Sequence, residues 1–286
     1  GGFVKISGII DESMDTSHLN KEPESWEFRS KPAWQRLVVM LGGIIFNVIT
    51  GLVIFTMITF NNGETYLSKD EINKNGILAL DLGLDAGFKT GDKILLINGE
   101  DWERDSELFD PNLFFDDNTT FTVLRNGEKL EITIPDNFIN KMNSREAMSS
   151  FLKARTPFTI DSVYNNAFKA GLEKGDKIVK VNETFIVDLY ELKTILEKNK
   201  SSIIQVTINR NETIIDKVVE ISKDATIGIK VLAEPLTFSQ RKFDFNESVI
   251  IGTQKAFGIV FLNIRAFGKM FSGDIDPSKN LSGPIG

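Results

Sequence analysis

Two stretches of this chain follow one pattern, and that repeat decides how most of the chain folds. Residues Ala86–Ile94 read AGFKTGDKI, and residues Ala170–Ile178 read AGLEKGDKI, 84 positions later. A second pair of matching blocks, TVLRN at Thr122–Asn126 and TINRN at Thr207–Asn211, is 85 positions apart. Because two blocks at nearly one separation indicate an internal duplication, we expect two copies of a domain of about 80 residues.

Both copies predict a short helical turn, closed by a glycine that tolerates left-handed backbone, and then a strand. Asn98-Gly99 predicts a type I′ hairpin turn after that strand in the first copy. The second copy has Asn182-Glu183 there, so we expect another kind of turn. Residues Asp188–Lys198 of the second copy have the apolar spacing of a helix.

An uncharged apolar run, Leu37–Phe60, precedes the repeats. As a helix it would be roughly 36 Å long, enough to cross a bilayer core of roughly 30 Å. A buried core helix is the alternative, although few soluble helices run this far without a charge. Trp26, Trp34 and several basic residues come before the run, and acidic residues follow it. By the positive-inside rule, the side before the helix is cytoplasmic and the repeats lie outside.

Residues 246–272 again have a helical pattern, with four charges on one narrow arc and apolar residues over most of the rest. This pattern is typical of an amphipathic helix at a membrane interface or clamped against other helices. An ordinary helix packed on the second repeat is the alternative.

The composition excludes several classes of function. The net charge of −7 and the isoelectric point near 5 disfavour a nucleic-acid surface. There are no cysteines, which excludes disulfides, thiolate zinc sites and cysteine nucleophiles in these residues. The single histidine, His18, lies in a polar stretch and is expected to be a solvated loop residue.

The repeated blocks resemble PDZ domains of the circularly permuted bacterial type. Two such domains after a membrane helix resemble the site-2 protease family of intramembrane zinc metalloproteases. Three further stretches carry that resemblance in order along the chain: GGFVK at Gly1–Lys5, GIIFN at Gly43–Asn47 and LSGPIG at Leu281–Gly286.

The resemblance implies a membrane-anchored α+β chain with one transmembrane helix and two tandem PDZ-like domains. The expected segments are a membrane-associated β-hairpin and interfacial loop (1–36), the transmembrane helix (37–60), the first PDZ domain (62–140), the second (150–235), and an amphipathic helix leading to the next membrane segment (241–286). The chain starts without methionine and ends abruptly, so we expect a fragment of a longer protein.

The function implied is regulated intramembrane proteolysis by a zinc metalloendopeptidase of the bacterial inner membrane. Its substrates would be transmembrane proteins, such as anti-sigma factors, that another protease has already trimmed. The PDZ pair would act as a filter on the periplasmic side. The family holds its zinc with H-E-x-x-H and a later Leu-Asp-Gly, neither of which occurs in this sequence. We therefore expect the ligands outside this chain, and the chain alone to be inactive.

The resemblance also implies roles for particular residues. Gly43 and Asn47 would lie near the active site, although a helix-packing role for Asn47 is the alternative. A transmembrane helix must be held extended to be cut, and the edge of a hairpin strand can do this. Residues assigned to that edge strand are Gly2, Phe3, Val4 and Lys5, and those assigned to a peptide groove in the second PDZ domain are Phe158, Ile160, Leu189 and Leu192.

Two alternatives stay open for the PDZ domains. The four groove residues could simply be core residues, since apolar strand and helix positions usually serve packing. The first copy is compressed before Ala86, so its groove is expected to be closed or poorly formed. The whole chain could also be a non-enzymatic membrane-anchored PDZ tandem, a scaffold or secretion adaptor, but this leaves Gly1–Lys5 and Leu281–Gly286 unexplained.

Overall fold

The structure is a computed structural model that describes residues 24–115, 118–136, 138–142 and 148–273. The expected edge strand at Gly2–Lys5, the histidine His18 and the motif at Leu281–Gly286 lie outside the described residues. The chain divides into two compact units, residues 1–63 with 242–260 and residues 64–241 with 261–286.

The first unit contains helix α1, Ala33–Asn62, which includes the predicted apolar run and extends beyond it at both ends. The helix ends at Gly63, whose positive φ of 64° suits glycine. Its most apolar 18-residue window has a mean hydropathy of 2.5 and no buried residue, so α1 is a candidate membrane helix.

A second long helix, Phe245–Ser272, covers the stretch for which the sequence predicts a helix, and its residues up to 260 belong to the first unit. We call this helix α8, because α2 to α7 lie between it and α1 along the chain. It is also long and apolar enough to span a membrane, with a mean hydropathy of 1.2 over the corresponding window. Its predicted amphipathic place at the interface therefore stays a prediction.

The two long helices pack closely within the first unit. A Cβ added to Gly252 would lie 2.7 Å from the backbone nitrogen of Thr56, so only glycine fits there. Ser248 and Thr59 are buried in the same contact region, at 0% and 2% exposure. Small residues that let two backbones approach are typical of helix pairs in membranes.

The second unit begins with the first subdomain, residues 64–154. Its elements are β1 (Glu64–Leu67), α2 (Lys69–Asn75), β2 (Ile77–Ala79), α3 (Asp81–Asp85), β3 (Lys93–Ile97), α4 (Asp105–Leu108), α5 (Asn112–Phe115), β4 (Thr120–Arg125), β5 (Glu128–Thr133), a 3₁₀ turn (Phe138–Lys141) and β6 (Leu152–Ala154). Strands β3-β4-β5 form one antiparallel sheet, and β2 pairs with β6. The core is aromatic, with the rings of Phe88 and Phe121 edge to face at 5.3 Å.

The second subdomain, residues 158–233, repeats that arrangement. Its elements are β7 (Phe158–Val163), α6 (Asn165–Lys169), β8 (Lys177–Val181), β9 (Thr184–Phe185), α7 (Leu189–Lys198), β10 (Ile203–Arg210), β11 (Thr213–Glu220) and β12 (Ile229–Ala233). One sheet has the order β11-β10-β8-β9, and β12 pairs with β7. Strand β13, Phe238–Arg241, follows and pairs with β1.

The turns agree with the sequence. Asn98 and Gly99 have φ of 50° and 79°, as a type I′ turn requires. Asn182 also has a positive φ, of 50°, but Glu183 is not among the residues with positive φ, so the second copy makes a different turn. The predicted helix after it is confirmed as α7, with Asp188 as its N-cap.

Candidate functional site

An apolar cavity of about 370 Å³ lies between α7 and β12 in the second subdomain. The chain segments around it are one face of α7, the loop before β12 and the first half of β12. Its apolar lining residues include Leu189, Leu192, Leu196, Ile227, Ile229 and Val231, and its charged ones are Lys193, Glu197 and Asp224.

Helix α7 forms one wall because its sequence places leucines on a single face. Leu189, Leu192 and Leu196 are three and four residues apart, the spacing of one helix stripe. The helix start is fixed by a capping box between Asp188 and Glu191, and the Asp188 carboxylate also accepts a bond from Tyr190 N at 2.8 Å. The Glu191 carboxylate completes it by accepting from Asp188 N, also at 2.8 Å.

The loop that enters β12 depends on glycine. Gly228 has a φ of 85°, and a Cβ there would lie 2.4 Å from the carbonyl oxygen of Tyr164. The Gly228 carbonyl in turn accepts a bond from Tyr164 N at 2.7 Å. The loop therefore sits directly on the end of β7, which fixes the start of β12 beside the cavity.

Strand β12 offers an edge to an incoming chain. In the described part of the chain its strand partner is β7, so its other edge has no strand neighbour. Ile229 and Val231 alternate along it and line the cavity. An extended peptide can add to such an edge by backbone hydrogen bonds while its alternate side chains enter the cavity.

The four predicted groove residues fall into two pairs. Leu189 and Leu192 line the cavity, although Leu192 also belongs to the core of the second subdomain, at 1% exposure. Phe158 and Ile160 are each 1% exposed, belong to the core of the second subdomain and are not among the lining residues. The strand whose side chains line the cavity is β12, which sequence reasoning did not single out. The sequence feature that could have indicated this strand is Gly228 between two β-branched residues, Ile227 and Ile229.

The first subdomain has an apolar cavity of about 330 Å³ at the corresponding place. Its lining residues are Phe109, Pro111, Phe114, Ile139, Met142, Met148, Ser149 and Leu152. Here two four-residue helices, α4 and α5, stand where the second subdomain has the ten-residue α7. The first cavity thus lacks a continuous helical wall.

Gly43 and Asn47 share a face of α1, since they are four residues apart. Both are exposed, and nothing lies within 4 Å of a Cβ added to Gly43. Asn47 precedes Thr56 by nine residues, which at 100° per residue places the two on opposite faces of the helix. The Gly43–Asn47 face therefore points away from the contact with α8.

The described residues do not offer a zinc site. Across residues 24–115, 118–136, 138–142 and 148–273, no three histidine, aspartate or glutamate side chains group so that they could hold a metal ion. The whole sequence has one histidine and no cysteine. This donor set does not fit the nitrogen- and sulfur-rich coordination that zinc prefers.

Comparisons with known proteins agree along the whole chain. The sequence profile of Peptidase family M50 matches residues 1–286. The regulator of sigma E protease of Haemophilus influenzae is 27% identical over 304 residues, and RseP of Escherichia coli K12, a regulator of sigma-E protease, is 24% identical over 314. A Borreliella burgdorferi protein named as a zinc metalloprotease is 27% identical over 305 residues. Each alignment includes 100% of this chain but only 64–66% of the relative's length.

Proposed function

This chain belongs to peptidase family M50, and we propose that it is the substrate-handling part of an intramembrane zinc metalloprotease. The resemblance to the site-2 protease family, of the regulator of sigma-E type, is confirmed by the match over all 286 residues. The proposed reaction is cleavage of membrane-anchored proteins, such as anti-sigma factors, in regulated intramembrane proteolysis. The proposed location is the bacterial inner membrane.

The groove between α7 and β12 carries this proposal. A cavity of about 370 Å³ beside an open strand edge fits an extended peptide tail far better than a compact domain. In this proposal residues 62–140 and 150–235 are two PDZ domains on the periplasmic side of the membrane. The second domain binds the tail of a trimmed substrate, and the pair excludes substrates that still carry a bulky domain.

The zinc ion is proposed to be held elsewhere in the whole protein. This chain spans about two thirds of the length of its relatives, and its described residues do not fit a zinc site. What it contributes instead is a membrane helix whose free face carries Gly43 and Asn47. We place that face beside the active site, because an amide at membrane depth is costly unless it has a partner.

The Asn47 proposal is tested in the whole protein. Asn47→Leu is expected to reduce cleavage of a membrane-anchored substrate, while Asn61→Leu, near the end of the same helix, leaves cleavage unchanged. Equal cleavage by the two variants would assign Asn47 to helix packing alone.

The groove is tested by peptide binding to the full chain in lipid nanodiscs. A fluorescent peptide with an apolar carboxyl terminus is titrated into the wild type, Val231→Glu and Leu232→Glu. Val231 lines the cavity, whereas its neighbour Leu232 is 66% exposed and does not. Binding is expected to be lost in the first variant and kept in the second. If the wild type shows no saturable binding at millimolar peptide, the peptide-binding role is wrong and the subdomains would act only as a steric filter.

A membrane-anchored PDZ tandem without enzymatic activity is the second candidate function, since two repeated subdomains after a long apolar helix suit a scaffold as well as a protease. The family match favours the protease, because it includes the segments on both sides of the two subdomains. Cleavage of a membrane-anchored substrate by the whole protein, abolished by a zinc chelator, separates the two.

A further inference from the structure

Arg155 lies in the segment that joins β6 to β7, and it bonds to both subdomains. Its Nη1 donates to the carbonyl of Asn75 at 3.0 Å, at the end of α2 in the first subdomain. Its Nη2 donates to both carboxylate oxygens of Glu191, at 2.8 and 3.0 Å, on α7 in the second. The backbone N–H of Arg155 also donates to Gly76 O at 3.1 Å.

This ion pair is well shielded from solvent. The side chains of Arg155 and Glu191 keep only 12% and 14% of their surface exposed. A guanidinium that binds a carboxylate through two contacts fixes direction as well as distance, because its donors are rigid. The pair therefore holds an orientation, which an exposed lysine pair would not do.

Glu191 is also part of the groove's own construction. The same carboxylate accepts the backbone N–H groups of Val187, at 3.0 Å, and Asp188, at 2.8 Å, and so caps α7. Asp188 in turn accepts Thr156 N at 2.9 Å. Residues 155 and 156 are thus bonded to the first turn of the helix that forms one wall of the groove.

Within the first subdomain, β1, the strand that follows α1, is bonded to the start of α4. Arg104 pairs with Glu64 of β1, and Leu67 N donates to Asp105 Oδ1 at 3.1 Å. An orientation that Arg155 imposes between α7 and the first subdomain therefore extends to β1.

We propose that Arg155 is a positioning residue for the groove: it locks α7 to the first subdomain, so that the groove and both subdomains move as one body. The claim that a peptide enters the groove rests on the proposed function, whereas the ion pair that locks α7 does not depend on it. A peptide that shifts α7 on binding would, through this lock, shift the first subdomain with it.

The lock is tested by distance measurement in the full chain in nanodiscs. We introduce two cysteines, Lys129→Cys in the first subdomain and Lys198→Cys on α7. Because the sequence has no other cysteine, spin labels attach only at these two positions. Double electron–electron resonance should give a narrow distance distribution for this background. Arg155→Ala should broaden the distance distribution. Arg155→Lys should broaden it as well, because lysine cannot make the two-point contact with the carboxylate.

Two further variants separate positioning from general damage. Glu191→Gln keeps a side-chain oxygen for the caps of α7 but loses the charge, so it should fold and still broaden the distribution. Lys174→Ala removes a pair with Asp161 in which the lysine is 77% exposed, and it should leave the distribution narrow. A narrow distribution in both Arg155→Ala and Glu191→Gln would overturn the proposal.

Peptide titration of the same samples separates this inference from the proposed function. If the groove binds peptide, Arg155→Ala should weaken binding about fivefold, as expected when α7 is correctly placed only about a fifth of the time. Unchanged affinity in Arg155→Ala would overturn the positioning role. If the wild type binds no peptide while Arg155→Ala broadens the distances, the proposed peptide groove fails and the lock stands.

Discussion

Arg210 and Asp176 form a two-point ion pair in the second subdomain, with Nε–Oδ1 at 2.7 Å and Nη2–Oδ2 at 2.9 Å. The first subdomain repeats it, with Arg125 and Asp92 at 2.8 and 2.7 Å. These hydrogen bonds to the carboxylates raise the pKa of both arginines. The two sequence blocks that recur along the chain are therefore partners in space, which explains why both keep nearly one separation.

Each aspartate also closes the turn of its own block. Asp176 Oδ2 accepts Glu173 N at 2.8 Å, and Arg210 reaches over it to the carbonyl of Gly171 at 2.9 Å. Both aspartates are 1% exposed. A buried carboxylate needs such partners, because desolvation penalises an unpaired charge.

Removal of this arginine should destabilise the second subdomain strongly. Arg210→Leu leaves the buried Asp176 carboxylate without a counter-charge, and we expect a loss of about 3 kcal/mol in the free energy of unfolding. Chemical unfolding of the full chain measures it. Lys177→Leu, which removes a pair with Glu234 that is about 40% exposed on both sides, serves as the control and should cost less than about 1 kcal/mol. Equal losses in the two variants would contradict a buried structural role.

Local patterns predicted most of the elements, but of the four residues assigned to a groove only Leu189 and Leu192 line the cavity beside α7. The apolar run gave α1, the repeated blocks gave the two subdomains, and the leucine spacing gave α7 as the wall. Strand β12 could not be placed, because it pairs with β7 some 70 residues earlier and no local pattern records that pairing. The side chains of β7 alternate between two sides, and only the pairing with β12 shows that Phe158 and Ile160 face the core.

The contacts of Arg155 could not be predicted from the sequence either. An arginine between two domains is usually a solvated linker residue. Its partners, Asn75 and Glu191, are 80 and 36 residues away, so only the fold brings them together. The spacing of Asp188 and Glu191 is typical of a capping box. The ion pair of the same glutamate with Arg155 has no such sequence pattern.

The close contact of α1 and α8 should depend on Gly252. Gly252→Val places a branched side chain where even a Cβ lies 2.7 Å from the backbone of Thr56, so the helices must separate. Cysteines at Phe60 and Phe245, whose rings are 6.1 Å apart, report on this through cross-linking in nanodiscs. We expect the cross-linking yield to fall with Gly252→Val. Gly258→Val, where no atom lies within 4 Å of an added Cβ, should keep it.

Stability should fall in acid partly through Asp161. Hydrogen bonds from Lys174 and then Lys230 hold the pKa of this carboxyl below its usual value of 3.8. Because the folded pKa is the lower one, the ionised group stabilises the fold above about pH 4, and this contribution is lost as the pH falls through the folded value. The difference in thermal midpoint between the wild type and Asp161→Asn should therefore be present at pH 6 and vanish near pH 2. In a Lys174→Ala background, which lacks the first of these donors, the same difference should be smaller, and an undiminished difference would contradict this cause.

Lys193 should set the charge preference of the groove. It is the cation among the residues that line this cavity, and within the described part of the chain its ammonium group makes no side-chain hydrogen bond or ion pair. Glu197, one turn further along α7, is already paired with Lys200 at 2.6 Å. A peptide with an acidic residue two positions before its terminal apolar one would place that side chain on the α7 side, since alternate strand residues share a face.

We expect such a peptide to bind about threefold more tightly than one with a basic residue there, in keeping with the roughly 0.7 kcal/mol of an exposed ion pair. Lys193→Glu should reverse the preference, and raised salt should reduce it in the wild type. Lys198→Glu changes the charge of the same helix by the same amount but lies outside the cavity lining. If it reverses the preference equally, the selectivity comes from the net charge of the subdomain and not from Lys193.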